Sequence, residues 1–297
     1  MAEVIDALDL FRNGPDNERV FETSTIVYKD GHDRYVLRTS HHCGEKPLEV
    51  LTGLLPGLLA AAEDKVAAKE RQVAPGDVDG PPLLINPDES FPEFHAGLYT
   101  LAPDLCDRRD LYPKYLSLVY YGTLFQKMVQ SSFLSELTVL EELRKMGGHP
   151  NIVKYHGVIV ERGRMVGLVL SKMNETVHER CQEASAAGCS PRPRPLDVAK
   201  VVKEVEGALA FLHNLKDDAG QKRPYCHNAV HPGNIMLTQD DTAVLINLNS
   251  CQRLGTCLIK ELAVGWGEGG RRSAVESDLE GLTKAEAFMR EAFKGTL

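Results

Sequence analysis

Between Val20 and Ser40 the chain carries two β-branched and aromatic runs on either side of Asp30-Gly31, a dipeptide suited to a tight turn with positive φ. This pattern predicts a β-hairpin. Lys46 to Gln72 has helical composition, with Glu63, Asp64, Lys65, Lys69 and Glu70 on a polar face, and Pro56-Gly57 are expected to break the helix early. Five prolines, two glycines and several acids between Pro75 and Pro92 then read as a linker. From Tyr112 onward the pattern is α+β. It predicts a strand over Lys114 to Tyr120 and a helix over Ser132 to Met146. Strands Val153 to Glu161 and Met165 to Leu170 follow, joined at Arg162-Gly163. A helix starts at Val177, a proline-rich loop covers Ser190 to Pro195, and a long helix runs from Asp197 to Asn214. In that helix Val201, Val205, Leu209 and Leu212 recur at intervals of three to four, which marks a buried face. Ser277 to Phe293 is again helical in pattern.

Composition narrows the classes. The 297 residues suit one bilobal domain or two small ones. With 34 basic and 42 acidic residues the net charge is −8, which disfavours a broad nucleic-acid surface or a polybasic membrane foot. The longest apolar stretch, Val50 to Ala62, is interrupted by Thr52, Gly53, Pro56 and Gly57 and falls short of the roughly 20 residues that span a bilayer. No membrane span is expected. The N-terminus has acids where a secretory signal has bases. The seven cysteines include no Cys-x-x-Cys pair, so they are read as reduced thiols of a cytoplasmic or nuclear protein, without zinc.

The most specific signal is CHNAVHPGNIML (Cys226 to Leu237) followed by AVLINLNSCQRLG (Ala243 to Gly255). It resembles a protein-kinase catalytic loop and the metal-binding triplet after it. In that signature a His is followed two residues later by the base Asp and seven residues later by a metal-binding Asn. Those positions are His227, Ala229 and Asn234, and thirteen residues on stand Asn247, Leu248 and Asn249. Upstream, Gly147 to Leu170 resembles the segment that leads to a kinase hinge, here Ser171, Lys172 and Met173. Downstream, Gly265 to Gly270 and Glu276 to Leu282 resemble the end of an activation segment and the helix whose Asp, here Asp278, pins the catalytic loop. More narrowly, the phrases are similar to a set of fungal kinase-like proteins whose loop reads His-Asn-Asp-Ile-Asn-Pro-x-Asn-Ile-Met and whose triplet sits in Ile-Asp-Phe-Asp-Ser-Cys. Against it, Ala229, His231, Asn247 and Asn249 are departures.

The resemblance implies an α+β, bilobal protein-kinase-like fold. Residues 1–74 would be an N-terminal extension with hairpin and helix, 75–93 a linker, 94–170 the small lobe, and 171–297 a large lobe. The sequence ends nineteen residues past Asp278, so that large lobe is expected to be truncated. Kinase sites rest on a Lys-Glu pair, metal ions and one loop carboxylate. For the lysine Lys114 is the first candidate, with Lys127 and Arg38 as rivals, and Glu136 is the partner. Leu170, Met173 and Asn234 complete the nucleotide-binding candidates. Leu140, His227, Leu248 and Asp278 would form the column joining the lobes. No Gly-x-Gly-x-x-Gly precedes Lys114, and in Ser90 to Thr100 only Gly97 gives a flexible point.

Chemistry is what the departures remove. Ala229 has no proton acceptor, and a missing base typically costs a factor of roughly 10² to 10⁴. Asn247 keeps an oxygen but loses the charge that favours magnesium, which leaves Asn234 as a lone, weak ligand. His231 reads as a hydrogen-bonding loop residue rather than a substitute base, and Asp240 and Asp241 as turn formers. The expectation is a pseudokinase that acts by binding a protein partner, with ATP and magnesium bound weakly or not at all. The alternative is an atypical active serine/threonine kinase. A third reading keeps these motifs as structure only and uses the N-terminal segment for a partner.

Overall fold

A computed structural model describes residues 2–13, 18–44, 46–68, 77–185, 194–217, 219–258 and 272–294. The expected activation-segment end at Gly265 to Gly270, the helix end beyond Ala68 and most of the loop at Ser190 to Pro195 lie outside these residues. Two compact units are present: Met1–Glu93 with Leu116–Gln130, and Phe94–Tyr115 with Ser131–Leu297.

In the first unit β1 (Glu3–Asn13), β2 (Arg19–Asp30), β3 (Asp33–Thr39) and β4 (Leu83–Leu84) form one antiparallel sheet in sequence order. The hairpin turns at Gly31, whose φ of +60° a glycine tolerates without strain. Helix α1 (Leu48–Ala68) packs Leu51, Leu55 and Ala62 against Val4, Ile26, Tyr28 and Leu37 of the sheet. The expected break at Pro56 does not occur. Pro56 removes one helical hydrogen bond, at a cost of about 3 kcal/mol, while fully burying Leu51 and Leu55 returns about 1.5–3 kcal/mol each. Thr52, one turn earlier, uses its Oγ1 to accept the Val4 N–H at 2.9 Å.

Three further differences from expectation come from pairing and packing between elements. β1 lies where no strand was expected. The described part of the 75–93 segment is not a bare linker: it holds β4, the helical turn α2 (Pro87–Ser90) and the buried Ile85 and Phe91. Pro87 sits in the first turn, where its missing N–H costs nothing, and Asn86 Oδ1 caps the Asp88 N–H. The strand expected over Lys114 to Tyr120 stops at Tyr115. The next residues belong to the first unit, where Tyr121 Oη accepts the Asn86 N–H at 2.9 Å and the Tyr121 carbonyl accepts from Arg38 at 2.6 Å.

In the second unit β5 (Leu111–Tyr115), β6 (Tyr155–Glu161) and β7 (Arg164–Ser171) form an antiparallel sheet in the order β5-β7-β6. The helix α3 (Gln126–Lys145) enters this unit from Ser131 onward. Gly157 holds φ +128°, and a Cβ there would lie 2.5 Å from the Ala102 nitrogen, so the segment around Leu101 can run against β6 only because this residue is glycine.

After the sheet come β8 (Glu175–Thr176), α4 (Val177–Ser185), α5 (Val198–His213), β9 (Tyr225–Cys226), β10 (Ile235–Leu237), β11 (Ala243–Leu245), β12 (Gln252–Arg253) and α6 (Val275–Ala292). Val201, Val205, Leu209 and Leu212 form the buried face of α5, and Asp197 caps its N-terminus by accepting the Lys200 N–H at 3.0 Å. Among the described residues no helix is long and apolar enough to cross a membrane.

Candidate functional site

Lys114 is on β5 and Glu136 on the buried side of α3, and Lys114 Nζ lies 2.8 Å from both carboxylate oxygens of Glu136. Glu136 is 4% exposed and Lys114 32%, so the pair has one buried and one half-open partner. The rivals are elsewhere. Lys127 is exposed in the first turn of α3, and Arg38 donates to the Tyr121 carbonyl within the first unit.

A second constellation gathers around Asp278, in the first turn of α6 and fully buried. Its Oδ2 accepts the His227 N–H at 2.8 Å and lies 2.8 Å from His213 Nε2; its Oδ1 accepts the Asn228 N–H at 2.7 Å. One carboxylate therefore holds two consecutive loop amides. Asn228 takes φ +59°, a conformation Asn tolerates better than most residues, and its amide donates to the carbonyls of Cys226 and Ser250. His227 Nε2 is 2.9 Å from the Ile246 carbonyl, which only accepts, so the proton sits on Nε2 and Nδ1 accepts the Ala229 N–H at 3.3 Å. Burial pushes the His227 ring below the usual imidazole range, in keeping with this neutral form.

The residues beyond form a short chain of amides. Asn234 Nδ2 donates to the Ala229 carbonyl at 2.9 Å, and Asn247 Nδ2 donates to Asn234 Oδ1 at 3.2 Å. Asn247 itself takes a left-handed conformation, φ +65°. At the last position of the triplet, Asn249 Oδ1 accepts from its neighbour Ser250. His231 Nδ1 accepts the Gly233 N–H and caps the turn Pro232–Asn234.

Magnesium takes hard, charged oxygens, and two neutral amides already bonded to each other do not suit it. This donor set does not fit the metal, and no step is derived through one. Leu140, His227, Leu248 and Asp278 are each 1% exposed or less. Leu170 is buried on β7, while half-buried Met173 lines a groove with Leu140, Ser171 and Val244. The Cys226 thiol is pushed up to about 11 by burial and Cys251 is raised by the same cause, so neither is poised as a nucleophile.

Some roles were not visible in the sequence. Asp241 is more than a turn former: its Oδ1 lies 3.3 Å from the buried Arg180 and 2.6 Å from Arg194, and Arg180 also pairs with Glu175. His213 against Asp278 was not anticipated either. A polar residue in the last turn of α5 was the only available signal.

Burial depresses His149, His156, His227 and His231 alike. The folded chain then binds fewer protons than the unfolded chain once pH falls below about 6.5. Stability is expected to be flat from pH 8 to 7 and to fall below 6.5 by up to about 1.4 kcal/mol per pH unit for each ring, until the folded rings protonate. Urea unfolding at pH 7.5, 6.5 and 5.5 measures this, and equal stabilities at all three would contradict it.

No protein-family profile matches the chain. Over 119 residues, 40% of its length, it is 30% identical to "Kinase and exchange factor for Rac B" of Dictyostelium discoideum, and this match spans 9% of that protein. The chain thus has a distant, partial similarity to a kinase-related protein.

Proposed function

We propose that residues 94–115 and 131–294 form a protein-kinase-like fold of the fungal type, and that the chain is a pseudokinase which acts by binding a protein partner. The observation that carries this reading is the Asn234–Asn247 hydrogen bond beside Ala229. Where phosphoryl transfer needs a base and metal-binding acids, the chain puts a methyl group and two amides that satisfy one another. The supporting framework is intact: Lys114 on Glu136, and Asp278 on the backbone of His227 and Asn228. The similarity to a kinase-related protein supports the same class.

The alternative, an atypical active kinase, is favoured by one observation, the closed Lys114–Glu136 pair. Two measurements separate the readings. In a thermal-shift titration, 1 mM ATP with magnesium is expected to move the midpoint by no more than about 1 °C, since a Kd of about 1 mM contributes only about 0.4 kcal/mol. A shift of several degrees that requires magnesium would argue against the binding-only reading. In a phosphate-transfer assay, wild type should be inactive and the double variant Ala229→Asp/Asn247→Asp should gain nucleotide binding. Wild-type transfer that the double variant does not exceed would establish the alternative.

A further inference from the structure

In the second unit a groove of about 530 Å³ opens to solvent beside the C-terminal half of α3. Its floor is apolar, built by Leu140 and Leu143 of α3, Ile152 and Val153 of the following segment, and Val244 of β11. The floor is preformed. Asn151 Nδ2 donates to the Ala243 carbonyl at 2.8 Å and the Val153 N–H to the Leu245 carbonyl at 3.0 Å, which ties the two walls together. A volume of this size lies within the range of about 300–1,000 Å³ typical of ligand sites.

The charged side chains that line it are of one sign. Arg144 and Lys154 are the charged residues that line the groove, both are exposed, and neither forms an ion pair with a described residue. Burial pushes His149, also at the groove, below the usual imidazole range, and its Nδ1 accepts the Asn151 N–H. The nearby acids are engaged. Glu141 accepts from Thr100 and Tyr155, and Asp240 accepts from the hydroxyls of Thr238 and Thr242. In a chain of net charge −8, a groove with an apolar floor and an unpaired cationic rim is complementary to a segment of the opposite kind.

We infer that this groove docks an extended peptide segment of a partner protein in which apolar side chains are flanked by acidic residues. Two or three apolar side chains fill the floor, and the carboxylates meet Arg144 and Lys154. The open side favours a peptide over a small molecule, because a ligand in an open trough keeps one face in water, as an extended chain does. The inference goes beyond the reading of the Ala229 loop and does not rest on it, since neither Ala229 nor Asn234 nor Asn247 lines the groove.

The test is selection of a phage-displayed library of random 12-residue peptides on the full chain, with the double variant Arg144→Glu/Lys154→Glu as the parallel target. Both substitutions are at exposed positions, and equal thermal midpoints show that the variant is folded. Wild type is expected to enrich sequences with at least two large apolar residues and one or more acids. Synthetic versions should lose at least tenfold in affinity on the double variant and weaken as salt rises. Three results would each overturn the inference: no enrichment on wild type, an enriched set without acidic residues, or peptides that bind the double variant as tightly as wild type. Competition by acetate or phosphate at the same concentration as the peptide would also overturn it, because it would show a simple anion site.

Discussion

Asp278→Ala is expected to lower the unfolding free energy by about 3–5 kcal/mol, a large part of the 5–15 kcal/mol typical of a folded domain. The carboxylate is fully buried and accepts from two backbone amides and lies against one ring, all of which lose their partner together. A buried donor left unsatisfied costs about 1–3 kcal/mol, and two of the three here are main-chain groups that cannot rotate away. Asp278→Asn should rescue little, because its amide turns a donor towards at least one of the same N–H groups. The measurement is urea unfolding with the slope compared between variants. A loss below about 1 kcal/mol for Asp278→Ala would mean that the 226–228 loop is held by other contacts, such as the Asn228 side chain.

Gly157→Ala is expected to cost about 3 kcal/mol or more through two independent penalties. The backbone sits at φ +128°, outside the region that residues with a Cβ adopt, which costs about 1–3 kcal/mol. The added methyl would also fall 2.5 Å from the Ala102 nitrogen and 2.6 Å from the Leu101 carbonyl carbon, so backbone must move. Gly97→Ala is the matched control, since nothing lies within 4 Å of its Cβ and its φ is ordinary. Calorimetric midpoints of the three proteins decide the matter, and a Gly157→Ala midpoint equal to that of Gly97→Ala would remove the steric argument.

These two residues differ in how far the sequence reveals them. Asp278 was singled out because its place in ESDLEGL resembles a known helix, whereas Gly157 has no local signature and gains its importance only from the chain that lies against it. The same division runs through the fold. The α5 face, the hairpin at Asp30-Gly31 and the turn at Arg162-Gly163 follow from periodicity and turn chemistry within a few residues. β1, the unbroken α1 and the described part of 75–93 do not, because each depends on pairing or packing that its own residues do not signal: β1 on the neighbouring β2, α1 on the sheet face, and 75–93 on β3 and Tyr121.

For the candidate site, the residue types alone show that positions 229, 247 and 249 carry no carboxylate, since no fold can place one where Ala229, Asn247 and Asn249 have none. The tertiary structure decided what those positions do instead. It set Lys114 rather than Lys127 or Arg38 against Glu136, joined Asn234 to Asn247, and brought His213 to Asp278 across 65 residues. Absence of a functional group is a local property of the chain. Pairing between groups depends on distance and burial, which packing creates.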